Sequence, residues 1–304
     1  MTTGPRAIGA PALFAACTLI WGSTWLAIKF QLGTVAPGVS VAYRFALAAA
    51  LLAAWCLATG RSLAFPRRTH AWLAAQGLTM FGLNYVAVYE AERHVASGLV
   101  AVVFSTIVFM TPFGARLAFG MPVTARTLVG AVLGVTGVAL LFLPEVDLSR
   151  GDPALAIGVA WAFAATTIAA VGNVVSMRLQ RDGVEVLPGA AWGMAYGALV
   201  AAAAAVLRGD AWAFDARLPY VASLVYLAVV GSVAAFAAYL TLLARVGPGP
   251  TSFIGIATPV LAMLLSTFFE SYRWTWIAVA GVALAVAGNA IALAARRPRA
   301  ATRT

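Results

Sequence analysis

Arg44 stands inside the apolar run 38–59, where a cation facing hydrocarbon is disfavoured by about 3 kcal/mol or more. It must therefore face protein, water or an anion. Three readings follow: Arg44 attracts the carboxylate of a solute, snorkels to the nearer membrane surface, or pairs with Glu90 or Glu92. In the run 71–89, Asn84, Tyr85 and Tyr89 approach the far end, and the two tyrosines share a helix face by their four-residue spacing. They could line an amphipathic cavity or belong to an interfacial aromatic belt. Thr24 and Trp25 in the first run, Ser105 and Thr106 in the fourth, Trp161 and Asn173 in the sixth and Tyr239 in the eighth complete the polar and aromatic set. Hydroxyls can satisfy their own helix backbone, so Ser105 and Thr106 are weak individually. Large rings with a polar edge need a partner or water and suit an apolar or aromatic solute.

Other chemistries lack their residues. There is no H-E-x-x-H or G-x-S-x-G pattern, so no catalytic residue is assigned. Cys17, Cys56, His70 and His94 lack metal-site spacing, and the cysteines sit inside apolar runs, where packing rather than a disulfide is expected. No Gly-rich loop leads into Lys-Ser/Thr, so ATP hydrolysis is excluded and no cofactor is implied. Glu90, Glu92 and Glu270 all lie toward the ends of runs, and no carboxylate stands at mid-run to exchange a proton. Movement of a solute down its own gradient is the preferred expectation, with coupling through Glu270 second.

These residues are held in a chain that is 62% hydrophobic, 10% charged and of mean hydropathy +0.92. That composition excludes an ordinary soluble domain. Ten apolar runs, near 8–30, 38–59, 71–89, 95–118, 125–144, 154–177, 187–206, 219–243, 251–269 and 274–295, have the length to cross a hydrocarbon layer of roughly 30 Å as helices. The first run is too long for the core of a cleavable signal peptide. The net charge of +10 is unevenly spread. With both termini in the cytoplasm, 13 of the 20 basic residues lie inside, including Arg61, Arg67, Arg68, Arg116, Arg126, Arg178, Arg181, Arg245 and the arginines of the tail 296–304. The tail reads as a topology anchor and not as a nucleic-acid site.

The second half echoes the first. Gly130 and Gly281 lie 151 positions apart, as do Gly137 and Gly288, Thr124 and Thr275, and Gly98 and Gly249. Residues 1–148 and 149–295 then form two five-span units, and an odd span number makes the copies enter the membrane in opposite directions. The Gly-x3-Gly and Gly-x6-Gly spacings favour close helix packing, so the fifth and tenth spans are expected to be scaffold or subunit contacts.

WGSTWLAIKF at 21–30, IATPVLAMLLSTFFE at 256–270 and the paired GAVLGVTG at 130–137 and GVALAVAG at 281–288 resemble the drug/metabolite transporter superfamily, specifically its ten-helix EamA-type exporters. The resemblance covers nearly the whole chain. It implies an all-α integral membrane protein of a bacterial inner membrane, with ten helices in a 5+5 inverted repeat. It further implies export of small amphipathic metabolites such as amino acids, including aromatic ones. The family often carries an acidic residue where the fourth and ninth helices end: Glu270 fits, whereas the 151-residue offset places Phe119 in the first half. A family proline is Pro259 in the second half, with Val108 at its offset partner and Pro112 a turn further on. Both prolines read equally as packing kinks or gating hinges. A lipid flippase and a non-transporting assembly subunit are the alternatives. The expected partners are a small solute and the bilayer, with oligomerisation open.

Overall fold

The computed structural model describes residues 9–143 and 153–294. The tail 296–304, used in the charge argument, lies outside them. The described residues contain helices and no strand. The helices are α1 (Ala10–Lys29), α2 (Pro37–Ala58), α3 (Arg67–Gln76), α4 (Asn84–Glu92), α5 (Ser97–Ser105), α6 (Ile107–Phe119), α7 (Ala125–Phe142), α8 (Pro153–Arg181), α9 (Val186–Leu207), α10 (Leu218–Val225), α11 (Ala235–Val246), α12 (Pro248–Thr251), α13 (Ile254–Phe269) and α14 (Trp276–Ala294). A π-helical segment, Gly77–Leu83, joins α3 to α4, and another, Tyr226–Ala234, joins α10 to α11. Among the described residues eight helical stretches are long and apolar enough to cross a membrane, with Ile254–Phe269 a shorter apolar helix.

Local chemistry sets the boundaries. Proline opens α1, α2 and α10 from the first turn, where its missing N–H costs no hydrogen bond. At α7 the Thr124 hydroxyl accepts the Thr127 N–H at 3.2 Å. Gly120 ends α6 in the left-handed region, φ 66°, and its N–H reaches the Arg116 carbonyl. The interruption between α5 and α6 falls at Thr106 and not at Pro112, and α13 runs unbroken past Pro259. Thr106 and Phe253 are the N-caps of α6 and α13, so each proline follows its cap by six residues. Counted from the caps, Pro112 and Pro259 stand at the same place in their helices.

Glycines permit the closest approaches. α7 and α14 form the most intimate helix pair, and a Cβ at Gly130 would stand 2.5 Å from the Gly288 carbonyl oxygen. A Cβ at Gly137 would stand 2.5 Å from that of Gly281. The index rises on one helix as it falls on the other, so the pair is antiparallel. This is the expected scaffold contact, made by small residues that let backbones touch. Gly38 brings α2 against Ala201 and Ala205 of α9 in the same way, and the central core of Phe45, Leu52, Val100, Met194 and Leu227 fills the space between.

Candidate functional site

The polar residues fall into three groups. The first gathers where α1, α4 and α13 end and α5 begins. Lys29 donates to the backbone carbonyls of Glu92 and Val95 and pairs with Glu270 at 3.3 Å. The Glu270 carboxylate also accepts the Ser97 N–H at 3.1 Å and the hydroxyls of Ser97 and Ser266, while Ser266 Oγ accepts the Gly98 N–H at 2.8 Å. One carboxylate therefore ties three helices together. It lies just past the end of α13 and is partly buried, which by itself would raise its pKa. The hydrogen bonds from Ser266 and Ser97 and the Lys29 charge outweigh that and hold it below the usual carboxylate range. A folded-state value lowered in this way adds stability at pH above the unfolded value and loses it as pH falls through the folded one. Acid unfolding followed by tryptophan fluorescence should accordingly show a loss of stability below the usual carboxylate range that Glu270→Gln no longer shows.

The second group surrounds Arg44, which is 2% exposed. Its guanidinium carbon lies 4.6 Å from the centroid of the Tyr85 ring and 5.0 Å from that of Phe45, at cation–π distance. Nε and Nη1 have no hydrogen-bond partner. Glu90 instead takes Arg93 and Arg208, each at 2.9 Å. The side chain is enclosed by protein. Asn84, 3% exposed, donates to the Met80 carbonyl at 3.0 Å, and its Oδ1 is unpartnered. Tyr89 is fully buried and donates to Gln31 Oε1, so it is no belt residue.

The third group lies where α1 meets the second π segment. Trp21 Nε1 donates to the Gly231 carbonyl at 3.2 Å inside that segment, where the helical ladder is displaced. The Trp21 ring lies 5.3 Å from Tyr239 and 5.9 Å from Phe236, and the Tyr226 hydroxyl meets Ser23 at 2.6 Å. The Thr24 methyl packs against Gly231, with its hydroxyl turned back to the Trp21 carbonyl at 2.7 Å.

The remaining predicted residues are more scattered. Trp25 packs edge-on to Phe104 at 5.3 Å. Ser105 and Thr106 return their hydroxyls to Val102 and Val103 of their own helix, each at 2.7 Å. Ser105 also lines, with Pro259 and Asn289, a cavity of about 10 Å³, room for about one water. Asn173 donates to Thr111 Oγ1 at 3.1 Å, joining α8 to α6. Trp161 is 37% exposed on α8 and stands apart from the three groups. Sequence reasoning missed Lys29, Gln31, Ser97 and Ser266. The four-residue spacing of Ser266 and Glu270 was the available signal for the last.

A polytopic bundle of membrane-length apolar helices fits a membrane transporter. The sequence matches the EamA-like transporter family over residues 9–143 and again over 156–294, and the chain belongs to that family. It is 31% identical over 284 residues to "Uncharacterized inner membrane transporter YedA" of Escherichia coli K12, covering 90% of this chain and 88% of that protein. "Protein PecM" of Dickeya dadantii is 28% identical over 261 residues, covering 85% and 82%. A solved crystal structure of a protein superposes with a TM-score of 0.65 at 22% identity, covering 93% of this chain and 96% of that one, which bears on the fold alone.

Proposed function

We propose that this chain exports small amphipathic metabolites, amino acids and aromatic amino acids among them, across a bacterial inner membrane. Transport proceeds by alternating access without ATP hydrolysis, as a facilitator. The chain crosses ten times, with both termini cytoplasmic, as two inverted five-helix units, 1–148 and 149–295. Three features support the repeat: the family matches twice, a π segment recurs in α3–α4 and α10–α11, and the α7–α14 contact is self-complementary. Gly130 meets Gly288 while Gly137 meets Gly281, which is the pattern a two-fold axis makes when Gly130 corresponds to Gly281 and Gly137 to Gly288.

The observation that carries the substrate reading is Arg44, buried against Tyr85 with two N–H groups unpartnered. A carboxylate would satisfy both donors and balance the charge. Asn84, Thr24, Trp25, Ser105, Thr106, Asn173 and Tyr239 line the remainder of the path, with Trp161 at its rim. Pro112, Pro259 and Glu270 serve the gates.

Binding can be read from thermal stability, since a ligand at a hundredfold excess over its Kd stabilises by about 2.7 kcal/mol. Aromatic amino acids should raise the Tm of the purified protein. Arg44→Met removes buried donors that lack partners, so it should leave the unliganded Tm unchanged or higher while abolishing the ligand shift. A folded Arg44→Met protein that keeps the shift refutes the carboxylate role. Tyr239→Ala should lower transport of aromatic amino acids several-fold more than that of alanine, as measured by competition. A flippase is the second reading, favoured by the 460 Å³ groove that Phe113, Leu117, Leu128 and the exposed Arg116 form on the bundle surface. Stabilisation by anionic lysolipid and by no amino acid would support it.

A further inference from the structure

Glu92 ends α4, beyond the apolar run of its helix, and is 0% exposed. Neither carboxyl oxygen has a hydrogen-bond partner. The charges that act on it are Lys29 from α1, Glu270 beyond α13 and Arg44 from α2. Of its own helix, Glu90 is engaged by Arg93 and Arg208, and the Tyr89 hydroxyl by Gln31. α8, which packs against α4, brings no ionisable side chain between residues 153 and 177. Lys29 gives its hydrogen bonds to backbone carbonyls and its ion pair to Glu270, so it does not serve both carboxylates.

An ionised carboxylate so placed is desolvated with no hydrogen bond to offset the cost, and the nearest ammonium is already paired with a second carboxylate, Glu270. A proton removes that cost. We infer that Glu92 is a proton-binding site of the gate formed by Lys29, Ser97, Ser266 and Glu270, occupied when the gate is closed and emptied when its opening hydrates the carboxyl. The proton enters and leaves on the same side of the membrane. It regulates the gate without being carried across, which keeps the protein a facilitator. Raising the pH on that side opens the gate, by up to about tenfold in the open-to-closed ratio per pH unit while one proton is exchanged.

The gate rests on the alternating-access reading, but the proton can be detected without transport. In the full-length purified protein, the infrared band of a protonated carboxyl group should be present at neutral pH. It should vanish in Glu92→Gln. A second measurement follows opening through maleimide labelling of Val100→Cys, a fully buried position one turn inside Ser97, with Cys17 and Cys56 replaced by alanine. As pH rises the band should fade in step with labelling measured relative to a permanently exposed cysteine, and on that scale Glu92→Gln should label slowly at every pH. Absence of the band at neutral pH overturns the site, as does its survival in Glu92→Gln. If Glu92→Gln does not fold, the pH titration of the Val100→Cys protein decides: band and labelling that move independently overturn the proposal. A protein that shows the band and coupled labelling yet moves no amino acid refutes the export reading and leaves the proton site standing.

Discussion

Gly137→Leu should prevent assembly of the bundle or lower its stability by about 3 kcal/mol, the upper end of the usual cost of overpacking. The reason is the obstacle: a Cβ there meets the Gly281 carbonyl at 2.5 Å and the Ala285 nitrogen at 2.5 Å, both backbone atoms of α14. No rotamer relieves a clash with backbone. α7 and α14 would have to separate, forfeiting contact along most of both helices. Gly255→Ala is the matched control, because nothing lies within 4 Å of its Cβ and it has an ordinary backbone conformation. Thermal unfolding in detergent should show Gly255→Ala near the parent and Gly137→Leu far below it or absent from the folded fraction. Equal Tm values for the two would mean that the α7–α14 contact does not hold the halves together.

Glu270→Ala should be the second severe substitution. It removes the acceptor of the Ser97 N–H and of two hydroxyls, and leaves Lys29 with its two backbone carbonyls and no counter-charge. Hydrogen bonds to a charged group contribute about 1.5–3 kcal/mol each, and several are lost together. Because α1, α5 and α13 are joined through this carboxylate, the cost falls on the closed arrangement of that end. The variant should therefore label at Val100→Cys many-fold faster than the parent at the same pH. Unchanged labelling in a folded Glu270→Ala protein would show that the carboxylate does not hold the end shut.

Much of the fold was legible as apolar runs of membrane length. The run 71–89 was enlarged to a continuous helical stretch from Arg67 to Glu92, because helix continues through the polar RRTH entry and past the tyrosines. The two π segments were not legible, since an i→i+5 ladder is selected by neighbours such as Trp21, which takes the Gly231 carbonyl, and not by local propensity. The glycine spacing foretold close packing, but not the crossed pairing of Gly130 with Gly288. The break at Thr106 before α6 was not legible in the sequence either.

The charged residues were harder to read for a physical reason. A carboxylate near the end of an apolar run ordinarily reaches water, so Glu92 read as interfacial. Burial arises only because Lys29 folds over the end of α4 and α5 starts beside it, contacts between residues more than sixty positions apart. Arg44 was recognisable as costly in lipid. Its aromatic partners Tyr85 and Phe45 and its unpartnered donors became visible only with the helices in place.

The central claim is that this bundle conducts amino acids, and it is tested by uptake of a labelled amino-acid mixture into liposomes containing the purified protein, with and without an imposed pH gradient, against protein-free liposomes. Protein-dependent entry, aromatic amino acids foremost, that persists after the gradient is collapsed is the expected result. No entry above the protein-free control in either condition would contradict it.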